Sequence, residues 1–246
     1  MKDKFSIFYN KILDMIFPKN YKCIFCNNEI FDENVYCTCK ECLNKLPKLD
    51  GKVCLKCGSK IKSMSDYCIK CKDNVRFFEQ AKAPFEYDEP ISGIVKKLKT
   101  ANARYLAEPM AKYMSECFIK AEWRADYIMC VPMFPAKEKK VGFNHAKLLA
   151  QEVSKITNIP FNDNLKKIKN TKKQTEMDFV GRQTNLEDAF KYDGKLDGKN
   201  VVVIDDVMTT GATMNTIALE LKRKGVNKVY VLTFARTSED RSKKQK

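Results

Sequence analysis

The sequence predicts an α/β protein: a parallel sheet with helices on both faces, preceded by a small cysteine-rich domain. Three observations point there. Four C-x-x-C pairs crowd residues 23–71. From about residue 80, apolar runs of strand length alternate with segments of helical periodicity. The run VVVIDDVMTTGAT at 201–213 passes from a β-branched stretch to two carboxylates, a hydroxyl-rich turn and a helix pattern.

The cysteine-rich segment comes first. Its pairs are Cys23/Cys26, Cys39/Cys42, Cys54/Cys57 and Cys68/Cys71. Two thiolates two residues apart can face one ion from a tight turn, and two such turns complete a tetrahedron. The spacing therefore predicts two structural Zn²⁺ sites in a duplicated ribbon, closed by four sulfurs each. A disulfide framework needs an oxidising compartment, and redox chemistry does not call for four repeated pairs. Cys37 is the odd residue, an alternative to Cys39 as ligand. Cys117 and Cys130 read as apolar fillers. So short a segment folds largely through its metal, so chelation is expected to unfold residues 20–75 and spare the rest.

The second part alternates. Ile91, Ile94, Val95 and Leu98 have helical spacing, and residues 104–121 continue as helix. Residues 126–133 read as a strand, 146–156 as a helix and 201–204 as a buried strand. A helix over 212–224 is stopped by Gly225, and a strand follows over 229–234. Residues 160–190 are polar and form an excursion from the sheet; Lys166 to Gln174 reads as a lysine-rich flap over an anion, followed by Arg182. The expected division is an amphipathic helix over 1–20, a double ribbon over 21–75, the α/β domain over 80–236 and a disordered tail over 237–246.

Ligands in open parallel sheets bind beyond the carboxyl ends of the strands. Asp205 and Asp206 fall there. Thr209, Thr210, Gly211, Ala212 and Thr213 follow at a helix start, where backbone N–H groups and hydroxyls hold phosphate well. One phosphorylated pentose fits both halves.

Composition agrees. Residues 1–75 hold 14 lysines and 9 acids, while residues 76–246 hold 32 basic and 22 acidic residues. The positive excess sits mainly in the second part and suits a pyrophosphate-bearing substrate or nucleic acid. No window has the roughly 20 apolar residues of a membrane span. The stretch from Phe5 to Phe17 lacks the pattern of a signal peptide, so a cytoplasmic location is expected.

VVVIDDVMTTGAT resembles the phosphoribosyl-pyrophosphate (PRPP) signature of type I phosphoribosyltransferases. The cysteine ribbons, the VPMFP turn, GFNHAKLLA at 142–150 and KKQTEMDFVGRQTNLEDAF at 172–190 are similar to one branch, the ComF family of competence-associated proteins. The resemblance implies the type I phosphoribosyltransferase fold. It implies that Asp205 and Asp206 hydrogen-bond the ribose hydroxyls and act in catalysis, and that residues 209–213 cradle the 5′-phosphate. Met133 to Lys137 would lie beside the pyrophosphate, with Mg²⁺ bridging pyrophosphate and ribose oxygens; the residues themselves add Lys137, Lys139 and Lys140 as positive charge and Arg182 as a bidentate phosphate contact. His145 stands where the family has glutamine and reads as structural; Val141 replaces the family's arginine.

Three functions compete. The first is phosphoribosyl transfer from PRPP to an acceptor. The second is binding of single-stranded DNA beside competence-machinery proteins. The third is PRPP sensing without turnover. The resemblance to this fold also implies a homodimer.

Overall fold

The computed structural model describes residues 22–30, 36–62, 64–169 and 189–238. The expected N-terminal helix, nearly all of the expected tail, and Arg182 lie outside them. The chain divides into two compact units between Leu46 and Pro47. This boundary falls between the two ribbons, whereas the cysteine repeat suggests one near residue 75.

The two ribbons share one local design. In the first, Asn27 N–H donates to Cys23 O at 2.8 Å and Cys23 N–H to Asn28 O at 2.8 Å. In the second, Gly58 N–H donates to Cys54 O at 2.9 Å and Cys54 N–H to Ser59 O at 2.8 Å. Each turn needs a left-handed residue after its second cysteine, filled by Asn27 at φ 64° and Gly58 at φ 66°. Cys39 and Cys68 then precede the short helices α1 (Lys40–Lys45) and α2 (Ile69–Asp73).

The second unit carries the sheet. Its strands are β1 (Gln80–Lys82), β2 (Phe85–Glu86), β3 (Tyr127–Cys130), β6 (Asn200–Met208) and β7 (Lys228–Arg236); β4 (Leu165–Lys167) and β5 (Phe190–Tyr192) form a separate antiparallel pair. The order is β1-β7-β6-β3, with β2 also on β7, and all five strands run parallel. The helices are α3 (Ile91–Leu98), α4 (Ala107–Lys120), α5 (Pro135–Val141), α6 (His145–Thr157) and α7 (Ala212–Arg223); a 3₁₀ turn, Ala101–Leu106, leads into α4. That turn occupies the start of the segment expected as continuous helix.

Both faces of the sheet are covered. Val201 and Val203 of β6 join Val229 and Val231 of β7 in a core with Met214, Ile217, Ala218 and Leu221 of α7. The alternate residues Val202 and Ile204 are equally buried, and α4 and α6 cover that side, packing on each other and on the strands. Full burial on both sides explains the unbroken apolar run VVVI. Each such side chain contributes about 1.5–3 kcal/mol on burial.

Cys54, Cys57, Ile61 and Cys68 of the second ribbon belong to the same core as α7 and the strands. Ala81 N–H of β1 donates to Lys56 O at 2.8 Å. The backbones approach so closely that a Cβ on Gly58 would lie 2.6 Å from Ala81 O. The duplication in sequence is thus not a duplication in packing. Chelation is therefore expected to disturb the α/β core as well, which revises the outcome anticipated from composition alone.

Strand β6 runs four residues past the expected end and includes both acids. Lys166 and Lys167 lie in β4 rather than in a loop, and residues 170–174 of the expected flap fall outside the described residues. Cys117 lies on α4 and Cys130 on β3; burial raises the two thiols to about 11 and about 12. No helix among the described residues is long and apolar enough to cross a membrane.

Candidate functional site

Unequal strand lengths leave one edge of β6 unpaired at the acids. The last residue pair between β3 and β6 is Cys130 with Ile204, after which Val131 N–H donates to Ile204 O at 2.9 Å. β7 continues beside β6 as far as Met208 and Arg236. Asp205 and Asp206 therefore leave β3 behind while one edge of their strand stays paired.

Consecutive strand residues normally face opposite sides. Here Asp205 Oδ1 turns forward to accept from Asp206 N–H at 2.9 Å. One carboxylate oxygen from each acid and one ring nitrogen of His145 all lie within 4.8 Å of one another. The two carboxylates converge despite the pleat.

Two basic side chains meet Asp206. Lys99, which follows α3, places Nζ 3.0 Å from Oδ2, and His145 places Nε2 3.1 Å from the same atom. Both distances suit ion pairs, but the angles leave Oδ2 without a completed hydrogen bond. His145 Nδ1 is buried with no hydrogen-bond partner. The histidine is held by its cap: Asn144 Oδ1 accepts from Ala146 and Lys147 N–H at 3.0 and 3.4 Å, and Asn144 Nδ2 donates to Val131 O at 3.0 Å. One side chain thus ties the start of α6 to the exit of β3.

The acids differ in charge preference. Burial raises Asp205 to about 7, the Asp206 charge adds to the rise, and the Asp206 N–H opposes it. Part of its surface remains open, although its surroundings exclude most water. Burial also opposes charge on Asp206, but His145 and Lys99 override it and hold this carboxyl below its ordinary value. Lys99 is raised in turn: burial disfavours its charge and Asp206 more than restores it. The site therefore holds one firmly ionised carboxylate beside one poised near neutrality.

Gly211 lies in the turn after β6 at φ 78° and caps α7. A Cβ there would lie 2.7 Å from the Met208 methyl. Thr210 Oγ1 accepts from Ala212 N–H at 3.3 Å. Thr209 and Thr210 are exposed, and Ala212 and Thr213 are half-buried. The first-turn amides of α7 have no acceptor within the helix, an arrangement that suits an anion.

Lys137 sits on the exposed side of α5 and joins burial in lowering Lys167. A cleft of about 410 Å³ opens between Pro132, Met133 and Phe134 on one side and Leu165, Lys167 and Ile168 on the other. The acids do not line it. Lys99 was illegible in the sequence, one lysine in a basic run. His145 was readable as a helix start but not as a partner of Asp206. The cleft depends on the β4–β5 pair, whose composition carries no such signal.

The two cysteine clusters are Cys23, Cys26, Cys39, Cys42 and Cys54, Cys57, Cys68, Cys71; within each, all four sulfurs lie within 4.8 Å of one another. Cys39, not Cys37, completes the first. Tetrahedral Zn–S bonds of about 2.3 Å put sulfurs about 3.8 Å apart. Cys26/Cys39 and Cys57/Cys68 are each separated by 3.7 Å. In the second cluster, hydrogen bonds from Cys57 and Cys71 push the Cys54 thiol down, and hydrogen bonding with Cys54 and Cys57 pushes Cys71 up. Four such thiols can all ionise only around a cation. Both clusters fit structural zinc.

Two family models match the chain: a phosphoribosyl transferase domain over 106–246 and a double zinc ribbon domain over 12–79. Competence protein F of Haemophilus influenzae is 27% identical over 228 residues, covering 88% of this chain and 97% of that protein. The chain belongs to the ComF family. DNA utilization protein YhgH of Escherichia coli is 25% identical, covering 81% of this chain and 90% of its own length. Competence protein ComFC of Bacillus subtilis is 26% identical, covering 79% and 80%. Among solved structures, glutamine PRPP amidotransferase of B. subtilis overlaps 56% of this chain and 30% of its own, at TM-score 0.39 and 17% identity. Adenine phosphoribosyltransferase of Thermoanaerobacter pseudethanolicus overlaps 58% and 82%, at TM-score 0.33 and 19% identity.

Proposed function

We propose that this ComF protein binds PRPP and transfers its phosphoribosyl group to an acceptor. The observation that carries the reading is that carboxylate oxygens of Asp205 and Asp206 lie within 4.8 Å of one another, three residues before the Thr209–Thr213 turn. Ribose hydroxyls are donors that suit two adjacent carboxylates, and the turn suits the 5′-phosphate. Transfer breaks the bond between the anomeric carbon and pyrophosphate, which leaves with the electron pair. The acceptor forms the new bond and loses its proton. Positive charge develops on the ribose ring between these events, and fixed carboxylates beneath it stabilise that charge. Mg²⁺ would be held by pyrophosphate and ribose oxygens, since Asp206 Oδ2 already faces Lys99 and His145. It would neutralise the leaving group. The cleft between Phe134 and Ile168 would receive the acceptor, with Lys137 and Arg182 as further cationic contacts to the phosphates.

Calorimetry with PRPP and Mg²⁺ tests the pocket. Binding is expected for the native protein and lost in the double variant Asp205→Asn/Asp206→Asn; retained affinity in the variant overturns the assignment. Pyrophosphate release across a panel of bases tests transfer, and binding without release would reassign the protein as a PRPP sensor.

One observation favours a second reading, single-stranded DNA binding. Leu55, Tyr67, Val75 and Phe77 are exposed on or next to the second ribbon, with the lysine side chains of that segment nearby in sequence. The names of the relatives add support. Affinity for an oligonucleotide should then fall steeply with salt and weaken in Tyr67→Ala; a salt-independent affinity overturns this reading.

A further inference from the structure

The second cysteine cluster and the anion turn share a side chain. Arg236 ends β7 and is 6% exposed. Its Nε donates to Cys57 O at 3.0 Å, and its Nη2 lies 3.6 Å from Cys57 Sγ. Its Nη1 donates to Met208 O at 2.9 Å and also contacts Thr209 O. One planar guanidinium therefore joins a cluster cysteine to the two carbonyls that lead into Thr210 and Gly211. A rigid fork of five donors suits this bridging, and an ammonium does not.

A second tie runs beside it. Asn215 lies in the first turn of α7. Its Oδ1 accepts from Phe77 N–H at 2.7 Å, and its Nδ2 donates to Val75 O at 3.3 Å. The segment leaving the ribbon is thereby clamped to the helix that follows the turn. The clamp brings Arg76 Nη1 to 3.8 Å from the position of a Cβ on Gly211. Arg76 Nε is buried without a hydrogen-bond partner.

We infer that the second zinc site is part of the phosphate-binding machinery: its metal shapes the 208–213 turn through Arg236, a positioning residue, while Arg76 adds a cation beside that turn. The inference rests on the phosphate reading of the turn given above. With metal bound, the Cys57 carbonyl and sulfur are fixed acceptors. With metal lost, the knuckle loosens and the buried guanidinium loses both. The Met208 and Thr209 carbonyls then lose the donor that orients them. Linkage requires the converse: ligand on the turn must tighten zinc in this site.

Hydrogen exchange of peptides covering 208–215 tests the coupling without any ligand. Exchange is expected to accelerate in Cys71→Ser and in Arg236→Lys, with the amides of β3 unchanged in Arg236→Lys. It should stay at the native rate in Cys42→Ser. Unchanged exchange at 208–215 in Arg236→Lys, or equal acceleration in Cys42→Ser, overturns the inference. Should Cys71→Ser not fold, Arg236→Lys and native zinc release still decide. In the native protein, PRPP should slow zinc transfer from one of the two sites to a chromophoric chelator and leave the other rate unchanged. Arg236→Lys should abolish that slowing and weaken PRPP binding by about 10–100-fold. Equal release rates with and without bound PRPP overturn the inference. Failure of the native protein to bind PRPP by calorimetry overturns the pocket assignment instead, and the exchange data then judge the coupling alone.

Discussion

His145 Nε2 lies 3.1 Å from Asp206 Oδ2, and Lys99 Nζ reaches the same oxygen from the end of α3 at 3.0 Å. The pair keeps Asp206 charged in a buried position. Removing one partner of a buried charge leaves that charge poorly compensated. His145→Ala is expected to cost about 1–3 kcal/mol of stability and to weaken PRPP binding, whereas His145→Gln, which keeps a donor, should recover part of both. Denaturant unfolding and calorimetry on the two variants measure this.

Asp205 should make the unliganded protein pH-sensitive. Its folded-state value is raised to about 7, above that of an unfolded aspartate. Its contribution to stability is therefore full below the unfolded value and is lost as pH rises through about 7. Asp206 has the opposite sign: its depressed value favours the folded state above the unfolded value, and that benefit fades as pH falls through the folded one. Asp205→Asn should raise Tm at pH 8 and change it less at pH 5, while abolishing PRPP binding. Thermal scans at both pH values, each against the native protein, give the comparison.

How much of this was open to inspection in the sequence varies by element. The unbroken β-branched run at 201–204 announced a strand buried on both faces, and the cysteine spacing announced two tetrahedral clusters. Those signals are local, set by pleat and turn geometry. The partnership of Asp206 with Lys99 and His145 spans 107 and 61 positions of chain and depends on where α3 ends and α6 begins. The fusion of the second ribbon to the core was equally hidden. Its cysteines have the same spacing as those of the first ribbon, and only Gly58, opposite Asn27 in the repeat, marks the close approach of β1.

The Asn144 side chain makes three hydrogen bonds, and the residue is 5% exposed. Asn144→Ala removes the α6 cap, at about 1–2 kcal/mol, and leaves Val131 O without its donor. Because His145 follows directly, the variant should also loosen the contact with Asp206. Urea unfolding, together with the NMR titration of the single histidine, separates these effects.

Gly211→Ala forces an L-residue into φ 78° and brings a Cβ to 2.7 Å from the Met208 methyl. The backbone alone costs about 1–2 kcal/mol. Gly211→Val should be worse, since branching cannot relieve the clash. Both should lose PRPP affinity beyond the loss of stability, read by calorimetry at a temperature where each remains folded.

The lone tryptophan can report on zinc. Trp123 Nε1 donates to Gln80 Oε1 at 2.9 Å, and Gln80 Nε2 donates to Leu55 O, within the second knuckle, at 3.0 Å. The indole also stacks on Tyr230 at 4.7 Å. Stripping zinc from the second cluster should alter Trp123 emission, whereas Cys42→Ser should leave it native. Fluorescence followed during zinc release distinguishes the two.

The break between Leu46 and Pro47 dictates where this chain can be shortened. A fragment starting at Pro47 retains one entire compact unit, with its own metal cluster and sheet. A fragment starting at Arg76, where the ribbon repeat ends, would strip Cys54, Ile61 and Cys68 from Phe78, Met208 and Met214 and expose an oily surface beside the sheet. Expression of the two fragments should differ accordingly: the longer one soluble, the shorter one aggregated.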